Sequence, residues 1–576
     1  MLICKPETAY FILYHIFLDS ATYIFVKTRK LTDNFPADRN IQGVIFLKKQ
    51  NFLKASLILM LSAGVSKALG ALFKIPLTNL LGGVGMSYFS CAYSLFMPVY
   101  ALTVTGLSAA VARMTAQSVA LEMYSNARKV RSTALMMFSA VGLAGSILTF
   151  LLSGISGGST ESSLSVAMIA PSVFFGCIMS VERGYYEGMS NMYPTAVSQV
   201  IEGIVKVVAG LFLCRYVTEH MDRIIIYFPD TNPVAISAAA GILGVTLSSV
   251  GAVVFFAVLR LFRKKVPENN EQAVMSRRDI ARELIANAVP TGISAVVTNL
   301  TALIDMWTVI GCITYFGSRM PTPSGISEKD IPHFIYGSFA GIALTVFNLV
   351  PSVTNMLGKG ILPCITEAWE NHHIKTLSEN TMQALITSAV IAVPAAFGIA
   401  VLAPEILGFL FPRQPDEVNI CINSLRLLMV GMVCLCISFP VFSMLQAIGK
   451  ASLPLKIMLL GTVVKSVGNI FLIPVMDVDG AAVSTSLCYA VILIVSIRLY
   501  IKHSGISLKI MPFLVILYAG GMCAGSAYIA CVTAQRYGMG SFGVLAVSVA
   551  AGGIVYAIVL AVCGTCLKRF GRPVLQ

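Results

Sequence analysis

Residues 54–80 read Lys54-Ala-Ser-Leu-Ile-Leu-Met-Leu-Ser-Ala-Gly-Val-Ser-Lys-Ala-Leu-Gly-Ala-Leu-Phe-Lys-Ile-Pro-Leu-Thr-Asn-Leu80. About 20 mainly apolar residues let a helix cross a bilayer, and this run is longer than that. A barrel strand would alternate polar and apolar side chains over about 10 residues. No such alternation is present, so the segment reads as a membrane-spanning helix.

Comparable runs recur outward from it. Spans are predicted near 54–80, 86–112, 131–154, 163–185, 193–216 and 234–262, then near 281–313, 333–360, 380–411, 421–447, 454–475 and 480–502, with two more near 510–534 and 541–567. The expected fold is all-α: a polytopic membrane protein of about fourteen transmembrane helices. Composition points the same way, with 56% apolar and 12% charged residues and a mean hydropathy of +0.81. Soluble domains carry about 25% charged residues; with half of that, the apolar surface must face lipid and the backbone must bond to itself, as helices do.

The net charge of +14 does not mark a nucleic-acid protein, because the basic residues fall between apolar runs rather than on one soluble face. They set the orientation instead. With the first span starting inside, one side collects Lys48, Lys49 and Lys54; Arg128, Lys129 and Arg131; Arg260, Arg263, Lys264, Lys265, Arg277, Arg278 and Arg282; and Lys568, Arg569 and Arg572. The other side holds mixed or acidic loops, including Glu219, Asp222, Asp230, Glu328, Asp330, Asp477 and Asp479. Both termini are expected in the cytoplasm, with the chain in the cell membrane. Residues 9–26 are apolar but interrupted by His15 and Asp19. They read as an interfacial helix, a fifteenth span or an upstream translation artefact; 1–51 is taken as a dispensable extension.

The polar stretch 266–279 reads as a cytoplasmic linker between two six-helix lobes, 52–265 and 280–505, followed by two accessory helices and a tail over 506–576. The lobes read as a repeat. Glu187-Gly188, Pro194 and Lys206 in the first match Gln446-Ala447, Pro454 and Lys465 in the second, and Ser237-Ala-Ala-Ala240 matches Gly480-Ala-Ala482. Two parallel repeats of six spans would enclose a central cavity.

Ionisable residues inside spans cost roughly 2.5–3.5 kcal/mol each at mid-helix, so each needs a reason. Lys67 and Lys74 fall within about 20° of each other on one face of the first span, sharing it with Ala63, Gly70 and Thr78. Lys67 lies roughly 21 Å along the helix from Leu53, too deep to snorkel easily. The seventh span steps through Asn287, Thr291, Ser294, Thr298, Thr301 and Asp305, and the eighth through Thr345, Asn348, Ser352, Asn355 and Lys359. The fifth carries Gln199, Glu202 and Lys206, and the eleventh Lys465 and Asn469. Small polar stripes also serve simply to pack membrane helices. Charges are not needed for that, so a water-filled cavity lined by these residues is expected, with Glu202 and Lys206 readable as an intrahelical pair.

Cysteines and histidines show no metal-site or disulfide spacing, and no phosphate-loop motif is present. No cofactor, metal or enzymatic activity is expected.

The segment Arg183-Gly-Tyr-Tyr-Glu-Gly-Met-Ser-Asn-Met-Tyr-Pro-Thr-Ala-Val-Ser-Gln-Val-Ile-Glu-Gly-Ile-Val-Lys206 closely resembles the signature of the stage V sporulation protein B family. Ser66-Lys-Ala-Leu-Gly-Ala-Leu-Phe-Lys-Ile-Pro-Leu-Thr-Asn-Leu-Leu-Gly82 and Thr105-Gly-Leu-Ser-Ala-Ala-Val-Ala-Arg113 add to it. That family sits with polysaccharide exporters and MurJ-type lipid II flippases in the multidrug, oligosaccharidyl-lipid and polysaccharide exporter superfamily. The resemblance covers about 52–505 well, and the last two spans loosely. It implies two lobes, alternating access and export of undecaprenyl-pyrophosphate-linked saccharides. In MurJ-type flippases basic residues of the first span meet the pyrophosphate, and Lys67 stands at the matching position. Where that subgroup carries an Arg-Asp pair this chain has Phe73-Lys74, so the rest of the pattern does not carry over.

The expectation is a monomeric flippase. Lys67, Lys74, Arg113, Arg183, Lys206 and Lys465 are its candidate substrate-binding residues, and Asp305 and Glu202 are candidate sites for a Na+ or H+ coupling ion. Asp305 also reads as a partner for a lysine. A cation-coupled drug exporter of the same superfamily, or a non-transporting scaffold of a wall-synthesis complex, are the alternatives.

Overall fold

A computed structural model describes residues 52–569, apart from 156–160, 230, 263–274, 321, 322, 324 and 325. The proposed extension 1–51 and most of the linker lie outside the described residues. Everything described is helix and connecting loop. The first half runs through α1 (Phe52–Tyr100), α2 (Gly106–Ala120), α3 (Tyr124–Leu151), α4 (Ser162–Ile169), α5 (Pro171–Gly188), α6 (Tyr193–Glu219) and α7 (Pro233–Leu261). The second runs through α8 (Arg277–Phe316), α9 (Ile331–Ser338), α10 (Leu344–Phe347), α11 (Leu349–Glu370), α12 (Ile374–Val401), α13 (Ala403–Leu410), α14 (Pro415–Ala447) and α15 (Ser452–Ser504). Then come α16 (Met511–Arg536) and α17 (Ser541–Arg569).

Among the described residues, twelve helices are long and apolar enough to cross a membrane, against the fourteen spans expected. The difference lies in α1 and α15, each of which doubles back. Gly82, at φ 65° and ψ −174°, breaks α1; only glycine takes that conformation readily. The rings of Phe73 and Phe89, which a straight helix would hold roughly 24 Å apart, are 6.0 Å apart. Asp477, at φ 51° and ψ −137°, breaks α15. Its carboxylate accepts from the Arg319 amide at 3.2 Å, helping to hold the strained backbone. Across that turn the Ser484 hydroxyl donates to the Lys465 carbonyl at 2.9 Å.

Two further features recur. Wide π-turn segments interrupt the helical path at Ala101–Thr105 and Phe339–Ala343, a distortion frequent at functional sites. The turn from α5 to α6 is closed by Met189 N to Tyr185 O, Ser190 N to Glu187 O and Asn191 N to Tyr186 O; the turn from α14 to α15 repeats it as Ile448 N to Met444 O, Gly449 N to Gln446 O and Lys450 N to Leu445 O.

The halves meet backbone to backbone where side chains are absent. A Cβ at Gly337 in α9 would overlap the Gly83 carbonyl of α1, and one at Gly106 would overlap the Ala288 carbonyl of α8.

Candidate functional site

The first leg of α1 has three faces, set by 100° per residue. About 120–160° from Lys67 lie Leu61, Val65 and Leu72, all exposed and apolar. A second face packs into the first half. Ser62 Oγ donates to Gln199 Oε1 at 3.0 Å, and Leu69, Phe73 and Leu77 press against the glycines Gly203, Gly210 and Gly241. The third face, within about 60° of Lys67, turns to the second half. A Cβ at Gly64 would stand 3.6 Å from Met356 of α11, Lys74 Nζ donates to the Ala340 carbonyl at 2.8 Å, and Thr78 Oγ1 to the Gly341 carbonyl at 3.4 Å.

Lys67 is exposed on this third face, between the Gly64 contact and the Lys74 contact. At Gly70 a Cβ would meet nothing within 4 Å. Lys67 is thus an exposed cation on the face that meets the second half, set apart in angle from the apolar outer face. Lys74 is half-buried, its ammonium held at the second π-segment.

Arg183 and Glu202 are brought together: Arg183 Nη2 is 2.9 Å from Glu202 Oε2, and Arg183 Nε donates to Ser198 Oγ at 2.8 Å. Glu202 is therefore engaged from α5, and does not answer to Lys206 alone. Half-buried Lys206 has Tyr93 and Glu202 as electrostatic neighbours. Arg113 sits apart from them, exposed, donating to Asn287 Oδ1 of α8 at 3.1 Å.

In the second half Lys465 Nζ lies 2.7 Å from Asp305 Oδ2, both side chains below 5% exposed. Asn469 Nδ2 donates to Asp305 Oδ1 at 3.2 Å and to Thr308 Oγ1 at 2.7 Å. Lys465, expected in the cavity lining, is instead sealed against Asp305, because two opposite charges deep among helices cost less together than apart. Thr301 and Thr345 are buried, and Asn348 and Ser352 bond to their own helix.

Contacts near the Gly82 turn, not legible in the sequence, also join the two halves. Gly83 N donates to Glu417 Oε1 at 3.1 Å, Ser87 Oγ lies 2.9 Å from His333 Nδ1, and Tyr88 donates to Asp330 at 3.3 Å. Asn79 Nδ2 donates to the Leu410 carbonyl at 2.9 Å. An isolated His333 amid an apolar run was the signal available. Arg131–Glu182, at 2.6 Å, was likewise unforeseen.

This arrangement is that of a membrane transporter of the multidrug, oligosaccharidyl-lipid and polysaccharide exporter superfamily. An inward-facing multidrug resistance transporter of the MATE family superposes with a TM-score of 0.60 at 15% identity, covering 78% of this chain and 98% of that one. The lipid II flippase MurJ in an inward closed conformation gives 0.57 at 16% identity, covering 90% and 100%. The chain belongs to the family described as polysaccharide biosynthesis protein, matched over residues 52–369; the MatE family matches 338–471. Two curated relatives from Bacillus subtilis (strain 168) are each 24% identical. They are lipid II flippase MurJ, over 80% of this chain and 84% of its own, and stage V sporulation protein B, over 82% and 89%.

Proposed function

We propose that the protein is a flippase that carries an undecaprenyl-pyrophosphate-linked saccharide, of the lipid II type or a related oligosaccharide, across the cytoplasmic membrane by alternating access. The observation that carries this reading is the third face of α1, which meets the second half and bears two lysines and no carboxylate. A pyrophosphate leaving water needs charge-assisted partners. Lys67 puts one ammonium on that face, and Lys74 a second one two turns on. The relatives named as lipid II flippase and stage V sporulation protein B support the same substrate class.

In this reading α1 and α15 each cross twice, giving fourteen crossings in two repeated lobes plus two accessory helices, with both termini cytoplasmic and the protein acting as a monomer. Arg113, Arg183 and Lys206 add positive potential along the path. Lys465 contributes only if released from Asp305, so an external Na+ or H+ acting at Asp305 has to exchange with that ammonium. Glu202 is held by Arg183 in the same manner.

A cation-coupled drug exporter has the MatE match and the MATE-like fold in its favour. Its cargo would have to pass two lysines of the same sign. A wall-complex scaffold would need no charge on that face at all. The test is flipping of a labelled lipid-linked sugar in vesicles, or complementation of a flippase-deficient strain, at matched protein level. Lys67→Ala is expected to abolish transport with little loss of protein, Lys67→Arg to keep part of it, and Lys74→Ala to be milder. Normal transport by Lys67→Ala, or tolerance of Lys67→Glu, rules out the anionic cargo.

A further inference from the structure

A pocket of about 360 Å³ is lined by Arg128, Lys129, Arg131, Ser132, Leu135 and Arg260. It lies between the first turns of α3 and the last turn of α7, where Arg260 sits. Four cations thus share one small cavity.

Their surroundings do little to neutralise them. Arg128, Lys129 and Arg131 lie in the second turn of α3, toward the positive end of its dipole, while Arg260 stands in the last turn of α7, the end that favours a cation. Arg131 is occupied: its Nε and Nη2 both reach Glu182 Oε1, at 3.1 and 2.6 Å, and its guanidinium lies 5.0 Å over the Tyr185 ring. Arg128, Lys129 and Arg260 make no ion pair among the described residues. Three positive charges therefore remain directed at the cavity.

The depth of the pocket matters as much as its charge. The apolar part of α3 begins at Thr133, just past Ser132, and that of α7 ends at Arg260. The cavity stands at the helix ends, level with the headgroup layer rather than the hydrocarbon. Below it the outer surface of α3 continues as Met136, Leu143 and Ile147, which are 65%, 54% and 52% exposed. With Ser132 they step by four, seven and four residues, forming one apolar track along the helix. A free phosphate needs no such track; an acyl chain does.

We propose that this pocket binds the phosphate of an anionic membrane lipid, with its acyl chain lying along Met136, Leu143 and Ile147. Basic pockets between helix ends at the membrane surface are a recurring form of headgroup recognition. Its lining residues all belong to the first half and include neither Lys67 nor Lys74, so the site does not depend on the cargo proposed above.

The test uses the full chain, purified and reconstituted with phosphatidylcholine or phosphatidylglycerol, with retained lipid counted by native mass spectrometry. The wild type is expected to retain phosphatidylglycerol about tenfold over phosphatidylcholine. The triple variant Arg128→Gln, Lys129→Gln, Arg260→Gln is expected to lose that preference, and Lys67→Ala to keep it. Should the triple variant not fold, Arg260→Gln alone, an exposed change at a helix end, is expected to lower the preference about threefold. Millimolar inorganic phosphate should leave retention unchanged. Displacement by phosphate would assign the pocket to a small free anion and overturn the lipid reading. An undiminished preference in the triple variant, or in Arg260→Gln, would overturn it too, as would loss of the preference in Lys67→Ala.

Discussion

The same turn leads into α6 in the first half and into α15 in the second, and each helix then carries a lysine, Lys206 and Lys465. The two lysines end in different states. In the first half Glu202 faces both Arg183 and Lys206, with Glu187 also near Arg183, and the Arg183–Glu202 side chains remain 14% and 20% exposed. In the second half Lys465 and Asp305 match one for one, at 4% and 3% exposed. A repeated backbone thus supplies equivalent addresses, while the charge content decides what each half does. The first half leaves its charged groups partly exposed; the second has closed its charges on themselves.

Breaking that contrast should have its largest effect in the second half. Removing one member of a buried pair strands the other, at about 3–5 kcal/mol. Asp305→Ala is therefore expected to lose most folded protein on detergent extraction, and Asp305→Asn combined with Lys465→Met to regain much of it. Wild-type thermal stability in Asp305→Ala would erase the distinction between the halves. The first-half centre should respond less. Glu202→Gln leaves Arg183 bonded to Ser198 and open to water, so a loss of about 1–2 kcal/mol is expected in thermal unfolding. A loss equal to that of Asp305→Ala would make the two centres equivalent after all. The smallest change is expected at Arg215–Glu219, an exposed pair one turn apart on α6. There Glu219→Gln should cost about 0.3–0.5 kcal/mol, and a larger drop would mean that exposure is a poor guide to charge energetics in this chain.

Much of the fold could be read from apolar run length alone, since a helix that must cross lipid announces itself by composition. Even the doubled-back α1 and α15 were separable, because Gly82 and the Asp477–Asp479 stretch interrupt their runs. What periodicity does not carry is partnership. A stripe ending in Asp305 shows that the face is polar, but not that Lys465, 160 residues later, will meet it. The same limit hid Glu182 behind Arg131 and Glu417 behind the Gly83 amide, pairs formed by helices far apart in sequence. The place of Lys67 on one face of α1 could be read for the opposite reason. Its depth along one helix and its angular neighbours are local properties, and the three-faced packing of α1 follows from them.

The separation of Asp305 from Lys465 also has a consequence during synthesis. At roughly 5–20 residues per second, the ribosome makes the lysine about 8–32 s after the aspartate. The nascent chain must hold α8 without its counter-charge for that interval. When α15 arrives, its two legs, joined by a turn at Asp477 with almost no loop, are suited to leave the insertion machinery as one hairpin. The ammonium would then reach the waiting carboxylate already braced by its second leg, making the last pair of the second half the event that commits it to its final topology.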